Sequence, residues 1–156
     1  MKKLKLYLDT SIFNFAFADD APKEKEITLK FFSEIGGYEA YISEVTIEEI
    51  NRTPEEAKRK QLFEFMTEYD LKELSFDKPA KILADKYIQE GVIPQKYQED
   101  AFHIAIASVN NLDAVISWNF KHIVKLKTKI EVVGINLFMG YKEIEIYSPW
   151  EVAGSV

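Results

Sequence analysis

The sequence predicts an α/β fold, a mostly parallel central sheet with helices on both faces. Three observations point there. Leu4, Leu6 and Leu8 alternate with Lys5 and Tyr7, the period of two that marks a strand. Ala114-Val115-Ile116 is an unbroken apolar run, as in a parallel strand covered on both sides. Stretches of strand length are separated by helical ones, which implies parallel strands joined by right-handed crossovers.

The elements follow in order. After the strand over Leu4 to Leu8, a first helix is expected from Ser11 to Ala18, broken by Asp19-Asp20-Ala21-Pro22. A second helix runs from Lys23 to Ile35, with Ile27, Phe31 and Ile35 recurring every four residues, and Gly36-Gly37 stops it. Tyr38 to Ile42 reads as the second strand. Ser43 caps a helix over Glu44 to Asn51, and Thr53-Pro54 starts another that reaches Met66. Leu71 to Leu74 reads as a small strand or an extended connector. Asp77-Lys78-Pro79 opens a helix to Gln89, ended by Gly91. The next helix, Tyr97 to Asn110, carries Ala101, Ala105 and Ser108 as a smooth stripe for close approach to a neighbour. Beyond the strand Ala114 to Ile116, a helical turn is expected over Asn119 to Lys125 and a strand over Ile130 to Val133. A short apolar segment, Ile135 to Met139, and a last piece, Glu143 to Tyr147, complete the chain.

The length of 156 residues suits one domain, residues 1–156, with a substantial core. The chain has no cysteine, which excludes disulfides and thiolate-held zinc or iron–sulfur centres. Lys5 and Asp9 interrupt any apolar signal region after Met1-Lys2-Lys3, and no apolar run approaches transmembrane length, so a cytoplasmic protein without membrane contact is expected. A net charge of −6 argues against a surface that binds nucleic acid everywhere, while leaving room for an acidic centre beside a locally basic groove.

Several acids stand at strand-to-helix junctions, where ligands collect in parallel sheets. Asp9 follows the first strand, Glu48 and Glu49 lie in the helix after the second, and Asn119 comes three residues after Ile116. Asp100, in the first turn of its helix, joins them if that helix enters from the same edge. Each residue also has a plainer role: Asp9 and Asn119 as helix caps, Asp100 as a partner of the helix dipole, a glutamate as helix surface. Gathered carboxylates repel one another and call for protons or a cation. An all-oxygen set suits magnesium or manganese, whose chemistry is activation of water for attack on a phosphodiester. His103 shares a helix face with Asp100 and suits a supporting hydrogen bond. Lys121, Lys125, Lys127 and Lys129 cluster with His122 in a stretch without acids, the best place to hold a phosphate backbone. Trp118 is expected to pack rather than stack on a base.

These residues resemble the PIN-domain nucleases, particularly the VapC-like toxins of type II toxin–antitoxin pairs. The resemblance spans nearly the whole chain. It rests on Leu-Tyr-Leu-Asp-Thr-Ser near the start, Val-Thr-Ile-Glu-Glu-Ile at 45–50, Glu-Asp-Ala-Phe-His-Ile-Ala-Ile-Ala at 99–107 and Val-Ile-Ser-Trp-Asn-Phe-Lys-His-Ile at 115–123. It implies a three-layer PIN-like domain and a ribonuclease whose Asp9, Glu49 and Asp100 hold Mg2+ or Mn2+, Glu48 being the alternative second acid. Asn119 completes the catalytic set where many members carry a fourth aspartate. Thr10 and Asn14 would support Asp9, with His103 behind the acids and Lys121, His122 and Lys125 toward RNA. A cognate antitoxin and a homodimer are implied as partners. A catalytically inactive PIN-like module for RNA or protein is the alternative, favoured by Asn119. A haloacid-dehalogenase type of phosphatase would want a second aspartate at position 11, where Ser stands.

Overall fold

In the computed structural model residues 2–155 are described; Met1 and Val156, which the expected domain of residues 1–156 takes in, lie outside them. Five strands form one sheet: β1 (Lys5–Leu8), β2 (Glu39–Ser43), β3 (Leu71–Leu74), β4 (Ala114–Ile116) and β5 (Glu145–Tyr147). Their order is β3-β2-β1-β4-β5 and every pairing is parallel, with Leu6 level with Ala40 on one side and Ala114 on the other. Eight α-helices connect and cover them among the described residues: α1 (Thr10–Phe15), α2 (Pro22–Ser33), α3 (Glu44–Asn51), α4 (Glu56–Thr67), α5 (Lys78–Gln89), α6 (Gln98–Val109), α7 (Leu126–Phe138) and α8 (Pro149–Val152).

The pleat sends alternate side chains into two cores, which is what makes three layers. Leu6, Leu8, Ala40, Ile42, Ala114 and Ile116 pack against α1, α2 and α4. Tyr7, Tyr41, Val115 and Ile146 pack against α5, α6 and Val132 of α7. Each fully buried Leu, Ile or Val contributes roughly 2 kcal/mol, so the central strands are held from both sides. Tyr7, which the sequence pattern places on the polar side of the first strand, is fully buried. The small-residue stripe of α6 serves as expected: Ala101 and Ala105 are fully buried in the core shared with α5.

The strand expected over Ile130 to Val133 is not there. Those residues lie inside α7, which also absorbs the apolar segment Ile135 to Met139 up to Phe138. Local β preference in Ile-Glu-Val-Val yields to burial spaced by four: Thr128, Val132 and Asn136 are each fully buried along one face. Asn136 donates to Ser108 Oγ at 2.9 Å and accepts from the Tyr87 hydroxyl, so the helix is pinned by polar groups as well as by Val132. Gly134 meets nothing that would disturb the helix. Leu71–Leu74 is a strand, paired with β2. The first helix stops at Phe15 rather than Ala18, and α4 begins at Glu56, two residues past Pro54. No helix among the described residues is long and apolar enough to cross a membrane.

Candidate active site

The chain moves outward from β1 to β3 and then returns to place β4 on the other side of β1, so the switch in strand order lies between β1 and β4. A crevice opens beyond the carboxyl ends of strands at such a point. Asp9 is the first residue after β1, buried, its N–H donating to Ile116 O at 3.2 Å. Ser11 Oγ donates to Asp9 Oδ1 at 2.5 Å, and Ser117 Oγ, from the first residue after β4, donates to Oδ2 at 2.6 Å. Both hydroxyl oxygens also accept from the loop after β4: Ser11 Oγ from Trp118 N at 2.9 Å and Ser117 Oγ from Asn119 N at 2.9 Å. The two loops are thus tied together through the carboxylate.

Glu49 arrives from α3, which starts at β2's end because Ser43 caps it, accepting from Val45 N at 3.1 Å. Thr10 Oγ1 donates to Glu49 Oε1 at 2.8 Å, and His103 Nε2 lies 2.5 Å from the same oxygen. His103 Nδ1 is 2.5 Å from the Tyr7 hydroxyl, which is 2.7 Å from Ser43 Oγ. This buried line from Ser43 through Tyr7 and His103 to Glu49 joins β1, β2 and α6. Asp100 enters from the first turn of α6, and Asn119 Nδ2 donates to its Oδ2 at 3.1 Å. Arg52 at the end of α3 pairs with Glu99 beside Asp100, linking the two acid-bearing helices at the surface.

Burial is the main cause that raises Asp9's pKa, with the Glu49 charge adding to it against His103 and the two serine hydroxyls. Burial likewise pushes Asp100 up to about 6, helped by the charges of Asp9 and Glu49 and opposed by His103 and Asn119. Burial also works on His103, downward, but the Tyr7 oxygen, Glu49 and Asp9 outweigh it and hold the imidazole well above its ordinary value. Glu49 goes the other way: burial raises it, yet His103 and Thr10 more than offset that and keep it ionised. The result is a matched pair, Glu49 with His103, beside buried Asp9 and half-buried Asp100, which meet no lysine or arginine in an ion pair among the described residues.

That imbalance and the all-oxygen donor set suit a hard divalent cation. Among the described residues no three Asp, Glu, His or Cys side chains converge to hold an ion by themselves. Magnesium does not require it, since it keeps several waters and takes one or two carboxylates. Each oxygen of Asp9 accepts one hydroxyl and retains capacity for another partner. The residues therefore fit a largely hydrated ion shared by Asp9 and Asp100 better than a dry cage of three acids.

The comparisons with known proteins show the family and the fold. The family model described as PIN domain matches residues 6–122, three quarters of the sequence. The chain belongs to the PIN-domain family. Three solved structures share the PIN fold at low identity. FitAcB from Neisseria gonorrhoeae is 16% identical, with a TM-score of 0.57 over 93% of this chain and 98% of that one. VapBC2 from Rickettsia felis, bound to a DNA fragment from their promoter, is 12% identical, with a TM-score of 0.58 over 93% and 98%. A toxin–antitoxin complex from Klebsiella pneumoniae is 15% identical, with a TM-score of 0.55 over 78% and 92%. A search of curated proteins finds no match.

Of the residues singled out in the sequence, this PIN domain brings Asp9, Glu49, Asp100, Asn119, Thr10 and His103 to one crevice. Glu48, the alternative second acid, is exposed. Three expectations need correction. Thr10 supports Glu49, not Asp9, because its hydroxyl faces α3. Asn14 is exposed on α1 and makes no hydrogen bond to Asp9 among the described residues; Ser11 and Ser117 fill that role. His122, expected to be on the surface or to face substrate, is buried, its ring stacked under Tyr97 at 4.2 Å. Lys121 and Lys125 are exposed, but Lys127 and Lys129 are engaged with Glu131 and Glu151, so the basic stretch is narrower than its sequence suggests. Trp118 is packed, donating from Nε1 to Thr28 Oγ1 at 2.7 Å. Sequence reasoning missed Tyr7, Ser11 and Ser117. Ser117 was within reach of the rule that found Asp9, since both directly follow neighbouring parallel strands.

Proposed function

We propose that this PIN domain is a Mg2+- or Mn2+-dependent endoribonuclease that hydrolyses RNA phosphodiester bonds, acting as the toxin of a toxin–antitoxin pair in the cytoplasm. One observation carries the reading: Asp9, buried, and Asp100, half-buried, lie at the switch point with no lysine or arginine in an ion pair to neutralise them, while Glu49 has His103. Asp9 and Asp100 would hold the ion, with Glu49 beside them as a further ligand or as the base that orients the attacking water. When bound, the ion supplies an activated water and neutralises charge on the phosphate. Ser11 and Ser117 fix the Asp9 carboxylate, and Thr10 and His103 fix Glu49, so neither acid swings away when a substrate phosphate approaches. Lys121 and Lys125 are the exposed cations on the loop after β4 that would meet the phosphate backbone.

Similarity of fold to a toxin–antitoxin complex supports the toxin role. It also makes an antitoxin protein the expected partner, and the resemblance to VapC-like toxins implies a homodimer. A second reading, a non-catalytic module, draws on Asn119. Its amide nitrogen is given to Asp100 and its oxygen accepts from His122 N at 2.9 Å, so it acts on the loop and adds no charge for an ion.

The test is cleavage of single-stranded RNA by purified protein. Activity with manganese that disappears with EDTA and in Asp9→Asn upholds the nuclease. An Asp9→Asn protein as active as its parent overturns it, and protein that binds RNA without cutting it under any divalent ion selects the second reading.

A further inference from the structure

Just ahead of Asp100 the chain presents an aromatic ring ringed by cations. Tyr97, which precedes α6, is 37% exposed and stacks on His122 with centroids 4.2 Å apart and planes 29° from parallel. The ammonium groups of Lys96 and Lys121 lie 5.7 and 5.8 Å from the Tyr97 centroid. His122 beneath it is only 8% exposed, and its Nε2 is the one buried side-chain polar atom among the described residues without a hydrogen-bond partner. Buried polar atoms nearly always find partners, so an orphan beside an exposed aromatic marks a place where a partner is supplied from outside. Burial and the charges of Lys121 and Lys125 keep His122 below its ordinary pKa, so the ring is neutral and the lysines do not repel it. The whole group is joined to the acids: Asn119 accepts from the His122 N–H and donates to Asp100.

We infer that Tyr97, backed by His122 and flanked by Lys96 and Lys121, is a subsite for one unpaired nucleobase and its adjoining phosphates in single-stranded RNA. This deepens the nuclease reading and rests on it for the identity of the polymer. Aromatic platforms accept any base on their π-face, and lysines alongside take the backbone. A phosphate draws the two ammonium groups off the ring toward its edge and so frees the face of Tyr97 for the base. A slight swing of the exposed ring then opens His122 Nε2 to the nucleotide, which gives that atom its missing partner. The loop after β4 would thereby place the chain of RNA next to Asp100.

The experiment is fluorescence anisotropy of a labelled single-stranded RNA against the Asp9→Asn protein, in which cleavage is not expected. Tyr97→Ala should weaken binding about tenfold, with Tyr97→Phe within about twofold of the parent because the ring remains. An oligonucleotide made abasic at successive positions should lose affinity for the parent at one position, and lose nothing further there with Tyr97→Ala. Lys96→Ala and Lys121→Ala should each lower the salt dependence by about one phosphate contact, which probes the subsite through proteins whose aromatic pair is intact. Equal affinities of parent and Tyr97→Ala, or no binding by the parent, overturn the inference. Active cleavage with Tyr97-independent binding removes this subsite and leaves the nuclease standing. Tyr97-dependent binding by a wild-type protein that cuts nothing keeps the subsite and removes the nuclease.

Discussion

Replacing Asp100 by Asn should make the protein more stable at neutral pH. The folded chain holds this carboxyl at about 6 against an ordinary 3.8, mainly through burial and also through Asp9 and Glu49. A value raised on folding means that the folded state binds the proton more tightly than the unfolded chain. The charged form therefore costs stability, with the cost absent below about pH 3.8, growing as pH rises and complete above about pH 6. At about 1.4 kcal/mol per pH unit the ceiling is about 3 kcal/mol. Water reaching the partly exposed carboxyl lowers that, and about 2 kcal/mol is the expected gain for Asp100→Asn at pH near 7.5. For a chain of this size it corresponds to a rise in Tm of roughly 4–8 °C. Asn keeps an oxygen for the Asn119 amide, so the hydrogen bond survives the change. Thermal melts in EDTA at pH near 7.5 and near 4.5 provide the assay, with the advantage falling to about 1 kcal/mol or less at the lower pH. A variant less stable than its parent at neutral pH, or one whose advantage does not change with pH, would refute the picture of an unneutralised acid in the crevice.

Two further outcomes are expected. Ile130 is 61% exposed and Val132 is fully buried, although a strand would place both on one side. Ile130→Asp should therefore change the urea midpoint little, within about 0.5 kcal/mol, and Val132→Asp should cost more than about 4 kcal/mol; similar costs at the two positions would contradict the helix. Ser117→Ala removes a hydroxyl that donates to buried Asp9 and accepts from Asn119 N. It should cost about 1–3 kcal/mol in a chemical denaturation curve and leave Asp9 looser, and an unchanged curve would show that the loops are not tied through it.

Strands β1, β2 and β4 and most helices could be read from sequence because their signals are local: a run of apolar residues, a cap, a break. Asp9 could be singled out as well, since a carboxylate directly after a strand stands where ligands collect in parallel sheets, although a helix cap is the plainer reading. Partnerships over long sequence separations could not. Thr10 stands next to Asp9 in sequence, and only the approach of α3 shows that its hydroxyl serves Glu49. Tyr7 read as a polar alternate because the sequence does not say that α6 covers that side of β1 with His103. The segment over Ile130 to Val133 read as a strand because β-branched residues favour one, and the burial of Thr128, Val132 and Asn136 that decides for a helix comes from the tertiary contacts of α7. The burial of His122 could not be read either, because nothing local announces that Tyr97, twenty-five positions earlier, lies over it.

Calorimetric titration of manganese into the protein reaches the acidic crevice without depending on any substrate. Wild type should give saturable heat of binding, and Asp9→Asn and Asp100→Asn should each abolish it while remaining folded. Absence of heat with the wild type, or undiminished binding after either substitution, would mean that the two aspartates do not share an ion.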